Sequence, residues 1–97
     1  MVVLSKSAIV EAAAKYPAIA DALYTWYHTT KQADWASFNE LKADKPSTDQ
    51  IGNDRYVFNV KTHRLIAMIF FDIRTVYIRE VMTHTDYDRR RNSLPTL

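Results

Sequence analysis

The hydrophobic pattern of this chain changes period near its middle, and that change does most to limit what the chain can fold into. In the first half, apolar residues recur three and four apart. Ile9, Val10 and Ala13 mark a stripe over Ala8 to Lys15, and Ile19, Leu23, Trp26, Tyr27 and Thr30 mark another over about Ala18 to Lys31. This spacing places residues on one face of a helix. Pro17 divides the two stretches, because it removes a backbone donor and biases Tyr16 away from helical angles. Ser5 or Ser7 can cap the first stretch. Ser37-Phe38-Asn39-Glu40 fits a capping box and opens a short third helix over about Phe38 to Ala43. Gly52, the only glycine, sits with Asn53 and Asp54 in a turn.

The second half reads with a period of two. Arg55 to Lys61 alternates, Arg64 to Asp72 is almost wholly apolar like a central strand, and Thr75 to His84 alternates again. With the short β-branched run Val2-Val3-Leu4 in front, the order is strand, helices, then three strands. That segregation predicts an α+β fold, with helices on one face of an antiparallel sheet. The 97 residues suit one domain over 1–97, with a basic tail from about residue 89 whose end is expected to be mobile.

Alternation also predicts which side of the sheet does chemistry. If Asp72 pairs with Thr75, then Phe71 faces Val76, Ile69 faces Ile78, Ala67 faces Glu80 and Leu65 faces Met82. Seven of these eight are apolar, so this is the face for the helices. Arg64, Ile66, Met68 and Phe70, with Tyr77, Arg79, Val81 and Thr83, then look out the other way, and His63 pairs with His84. An open face with cations and aromatics suits single-stranded RNA, since the cations meet phosphate and the rings stack on bases. The charge agrees in sign. Residues 1–50 carry five Lys against six Asp or Glu, whereas residues 51–97 carry eight Lys or Arg against five, including every Arg of the chain. The alternative is that these side chains merely finish a solvated surface.

Several classes are disfavoured. There is no apolar run of 18 residues to span a membrane and no secretory signal, so a cytoplasmic protein is expected. Cysteine is absent, which excludes thiol chemistry. His28, His63 and His84 show no metal-ligand spacing, one glycine cannot build a phosphate-cradling loop, and there is no nucleophile elbow. Neither metal nor cofactor is expected, and no helix-turn-helix pattern is present.

The motifs of the second half are similar to a known family. Arg55-Tyr56-Val57-Phe58-Asn59-Val60 resembles the R-x-V-F-N-I/V strand of HigB-type toxins, and the likeness continues through Arg64-Leu65-Ile66-Ala67-Met68-Ile69. It closes with Tyr77-Ile78-Arg79-Glu80-Val81-Met82-Thr83-His84-Thr85-Asp86-Tyr87-Asp88, which resembles that family's Y-I-R-x-V-x-T-H-x-x-Y-D ending. Lys15-Tyr16-Pro17 and Ala33-Asp34-Trp35 are similar too, so the resemblance runs from about residue 3 to 88. It implies a compact RelE-like fold and a toxin that cuts translated mRNA in the ribosomal A site. It also implies a helix-turn-helix antitoxin of the HigA type as partner, and operator DNA reached only through the toxin–antitoxin complex.

Cleavage of this kind needs a base for the 2′-OH proton, an acid for the leaving oxygen and a cation for the phosphate. By resemblance Arg64 is assigned to the phosphate, His84 to proton transfer, and Tyr87 to stacking or proton handling. Asn59, Lys61 and Arg79 are expected to contact RNA. One departure is that RelE itself carries a cluster of Arg and Lys where this chain has His84. The rival reading is a noncatalytic RNA- or protein-binding module on the same fold, a degenerate toxin.

Overall fold

The structure, a computed structural model, describes residues 1–96; the side chain of Thr96 and all of Leu97, the end of the basic tail, lie outside the described residues. Strand β1 (Val2–Leu4) leads into helices α1 (Lys6–Lys15), α2 (Ala20–Gln32) and α3 (Phe38–Asp44). Strands β2 (Asp49–Gly52), β3 (Arg55–Val60), β4 (His63–Phe70) and β5 (Thr75–Thr83) follow, and helix α4 (His84–Arg90) comes after the last of them. The five strands form one sheet in the order β1-β5-β4-β3-β2. Neighbours from β2 to β5 are antiparallel, whereas β1 joins β5 in parallel and makes the sheet mixed.

Pro17 ends α1 and opens a single 3-10 turn, Pro17–Ile19, before α2. The α2 stripe is as its spacing predicts, with Ile19, Leu23, Trp26, Tyr27 and Thr30 all buried. On α1 the buried residues are Ile9, Ala12 and Ala13, and Val10 is 47% exposed. Ser37 caps α3 by accepting the Glu40 N–H at 3.3 Å. Ser5 occupies the N-cap position of α1, but its hydroxyl engages that of Ser7 at 2.5 Å instead of a backbone donor. The turn between β2 and β3 takes positive φ at three successive residues, Gly52 (97°), Asn53 (49°) and Asp54 (61°), types that tolerate the left-handed region.

Helices α1 to α3 cover one face of the sheet. Their cluster joins Ile9, Leu23, Trp26, Trp35 and Leu41 to Phe58, Leu65, Ala67, Ile69 and Val76. The Trp26 and Phe58 rings meet in a T-shaped contact, 5.2 Å between centroids. The opposite face is partly covered by α4 and the Leu94–Thr96 turn. They close a smaller cluster of Val57, Ile66, Met82 and Leu94, with Ile51 and Tyr87 against it.

The register of the β4–β5 hairpin differs from the sequence expectation in two steps. The chain leaves β4 after Phe70 into a 3-10 turn, Phe71–Ile73, and Arg74 takes the left-handed conformation (φ 52°) that a glycine would ordinarily supply. The Arg74 guanidinium steadies this turn, donating to the Phe71 carbonyl at 2.5 Å and to Asp34 at 2.8 Å. Ile69 therefore pairs with Val76 and Ala67 with Ile78, a slip of two that leaves the faces unchanged. A β-bulge then inserts Arg79 as an extra residue, so that Ile66 pairs with Glu80, Leu65 with Val81, Arg64 with Met82 and His63 with Thr83. Beyond the bulge the faces are reversed. Val81 turns to the helices, Glu80 and Met82 turn away from them, and the expected His63–His84 pair does not form.

Candidate active site

The sheet face away from α1–α3 gathers polar groups at one end. β3 sets Asn59 opposite Arg64, and β4 sets Arg64 opposite Met82, whose side chain packs on this face. Asn59 is exposed and Arg64 half-buried. The Arg64 Nη1 donates to the His63 carbonyl at 3.1 Å, which holds the guanidinium at the strand end.

Helix α4 starts two residues past Met82. The Thr83 hydroxyl accepts the Asp86 N–H at 3.1 Å, so the Thr-x-x-Asp spacing forms an N-cap that ends β5 and begins the helix. His84, the first helical residue, is 56% exposed, and its Nε2 lies 3.2 Å from Asp88 Oδ2 one turn on. In the neutral imidazole that contact puts the proton on Nε2 and leaves the Nδ1 lone pair open to accept another. Tyr87 is half-buried. Its ring packs on the small cluster and walls an open cleft of about 440 Å³ with Ile51, Asp88, Arg91 and Asn92.

Two expected RNA contacts lie elsewhere. Arg79 does not share the face of Asn59 and Arg64, because it is the bulged residue. It lines a cleft between β5 and α1 with Glu11, Lys15 and Tyr16. Lys61 sits in the two-residue turn between β3 and β4 with φ 54°, beside a cleft shared with Asp21, Thr25, Trp26 and Lys45 of the helical side, which Asn59 also lines. His63 is also on the helical side, with its ring 4.4 Å from that of Tyr16.

Sequence reasoning leaves Glu80 among apolar neighbours with a cation partner or a different register as its two explanations; the structure supplies both, with the partner on the open face. Arg90, in the last turn of α4, reaches back to Glu80 with both guanidinium nitrogens, Nη1 to Oε2 and Nη2 to Oε1 (3.2 Å). Both side chains are little more than one-third exposed. The hydrogen bond and charge of Glu80 push the Arg90 pKa upward, so the guanidinium is held charged. The expectation had put Glu80 among apolar neighbours, and only the bulge brings it to this side. Among the described residues no group of three His, Asp or Glu could hold a metal ion, and no helix is long and apolar enough to cross a membrane.

Comparison with known proteins places this architecture. Residues 19–90 match the HigB toxin family model, described as the RelE-like toxic component of a toxin–antitoxin system. The chain is 38% identical to the mRNA interferase toxin HigB of Escherichia coli K12 over 92 residues, covering 91% of this chain and 88% of the relative. The mRNA interferase HigB of Shigella flexneri shows the same identity and coverage. The mRNA interferase HigB of Escherichia coli O6:H1 is 31% identical, covering 92% of this chain and 90% of the relative.

Proposed function

The chain belongs to the HigB family of RelE-like toxins, whose members are the toxic half of a toxin–antitoxin pair, and we propose that it is an mRNA interferase acting on translated mRNA in the ribosomal A site. The observation that supports this most directly is that Asn59 lies opposite Arg64, and Arg64 opposite Met82, at the end of β5 where the chain turns into α4.

The reaction follows from those groups. The 2′-oxygen of one nucleotide attacks the adjacent phosphorus and the bond from phosphorus to the 5′-oxygen breaks, leaving a 2′,3′-cyclic phosphate and a 5′-hydroxyl. His84 takes the 2′ proton on Nδ1, with Asp88 stabilising the imidazolium that forms. Arg64 donates to the phosphate oxygens as charge builds there. Tyr87 stacks on a base, or handles the proton that goes to the departing 5′-oxygen, which water otherwise supplies. Asn59 contacts the RNA beside Arg64. Lys61 and Arg79, off this face, serve the ribosome or the flanking RNA. No resident cofactor takes part in this scheme.

The partners that go with this reading are the ribosome, its mRNA and an antitoxin of the helix-turn-helix HigA type, with operator DNA reached only through the toxin–antitoxin complex. The place of action is the cytoplasm, where translation occurs.

Primer extension on abundant mRNAs after a brief induced pulse of the protein tests the reading. Wild type should create new 5′ ends inside translated regions. Arg64→Ala and His84→Ala should reduce them by about 10²-fold or more, the scale of losing a charge-stabilising or proton-transfer group. Soluble, folded wild type that makes no new ends would return the protein to the noncatalytic binding module. Ends that persist in both variants would keep the activity and discard this site.

A further inference from the structure

We propose that Glu80 is a positioning residue: by gripping Arg90 it fixes α4 on the sheet and sets where His84 and Tyr87 stand relative to Arg64. The link to cleavage rests on the nuclease reading above, whereas the anchoring rests on geometry alone.

Helix α4 has seven residues, too few to be stable by itself. It must be held by what it touches. Its N-terminus is tied through Thr83 to β5. In its middle, Tyr87 is the side chain that rests on the small apolar cluster. Arg90 lies three residues further on and so on the same side of the helix. An apolar contact resists separation but little resists rotation, because dispersion and burial have no direction. A two-pronged guanidinium–carboxylate pair does have direction, and it fixes the angle of approach as well as the distance.

The bulge at Arg79 is what makes the grip available. It turns Glu80 out opposite Ile66, on the side where α4 lies. In an unbulged strand the same carboxylate would point at the cluster beneath α1–α3. Bulge, acid and helix therefore act as a unit: the extra residue re-aims Glu80, Glu80 holds Arg90, and Arg90 orients α4. Asn59 and Arg64 belong to β3 and β4 and keep their places without this grip. Its loss would change the relation between the two halves of the site and leave each half intact.

The test uses the full chain and ribosomes stalled on a defined mRNA, comparing wild type, Glu80→Gln and the charge-swapped double variant Glu80→Arg/Arg90→Glu. Glu80→Gln should slow single-turnover cleavage about tenfold or more, the size expected for a small misplacement of reacting groups. The ribosome concentration giving half-maximal rate should change by less than about twofold, since binding is spread over a larger surface. The swapped pair should recover most of the rate. In the protein alone, the amides of α4 should exchange faster in Glu80→Gln while those of β3–β5 do not, and protection should return in the swap. Wild-type cleavage by Glu80→Gln, unchanged α4 protection, or a swap no better than the single variant would each overturn the proposal. Wild type that leaves the mRNA whole would instead overturn the nuclease reading, and the exchange pattern would then decide the anchoring separately.

Discussion

The two faces of the sheet are closed by different means. Toward α1–α3, a cluster of seventeen buried residues among those described runs from Val3 to Val76 and includes both tryptophans and Phe58. On the other side, a cluster of four buried residues, Val57, Ile66, Met82 and Leu94, lies under one short helix and the turn that follows it. Apolar burial scales with area, so the first face carries most of the stability. Local opening is easiest where few apolar contacts must break, so the second face is where the molecule can move or be entered at least cost. The candidate site is built on that second face, and its parts divide the same way. Asn59 and Arg64 ride on strands shared with the large cluster, whereas His84 and Tyr87 ride on α4.

The largest effect that would sharpen this contrast is expected at Phe58. Phe58→Ala should cost about 3–5 kcal/mol, because the ring is almost wholly buried and braced by Trp26. In a protein this small that is a large share of the total, so cleavage should vanish together with the fold. Urea unfolding followed by circular dichroism measures it. A loss below about 1 kcal/mol would mean that the large cluster is not where the stability resides.

Leu94→Ala probes the thin side. Leu94 is fully buried in the small cluster, yet it lies near the end of the described chain, where its surroundings can collapse around a deletion. A cost of about 2 kcal/mol is expected, at the low end for such a change. Hydrogen exchange should show the loss concentrated in α4, with β3 and β4 remaining protected. Uniform loss through the sheet would show that the faces unfold as one unit and would break the comparison.

The same division governs what could be read in the sequence. The thick side was legible because its signals repeat: the α2 stripe recurs every three or four residues, and Ser37 with Glu40 marks the start of α3. Arg64 was legible on the open face because the alternation assigned to its strand survives a slip of two, but nothing in the sequence set Asn59 opposite it, since Tyr56, Val57 and Phe58 are buried in succession and leave β3 without a clear period. The thin side depends on events that occur once. One extra residue at Arg79 leaves no periodic trace, yet it reverses the faces of Glu80, Val81 and Met82. Strand β2 is a short, mostly polar segment with Ile51 as its one large apolar residue, and no pattern sets it apart from a loop. Helix α4 did carry a signal, Thr83 followed three residues later by Asp86, but the charges around it read as a solvated tail. The Glu80–Arg90 pair spans ten residues and a change of element, which no local pattern announces.

Thr83→Ala is the smaller test of the thin side. It removes the hydroxyl that accepts the Asp86 N–H and should cost about 1 kcal/mol, the usual value of an N-cap. The change belongs at the junction of β5 and α4. A chemical-shift map of the variant should therefore show helical shifts weakening over α4 and staying put in α1–α3. Changes spread across the large cluster would mean that the two faces are more tightly coupled than their burial suggests.

The smallest effect concerns the thick side and appears in alkali. Burial raises the Tyr56 phenol above its ordinary pKa, with a further push from the charge of Asp54. The folded state therefore holds the phenolic proton to a higher pH than the unfolded state. Between the two pKa values the folded protein binds more protons, so stability falls as pH rises through that window and is fully present below about pH 10. Tyr56→Phe has no proton to lose and should flatten the decline. At neutral pH it should cost no more than about 1 kcal/mol, for the hydrogen bond that the Tyr56 oxygen accepts from Gln50 at 3.3 Å. Urea midpoints for both proteins at pH 7 and near pH 11 make the comparison. Parallel decline in the two would show that the alkaline loss arises elsewhere.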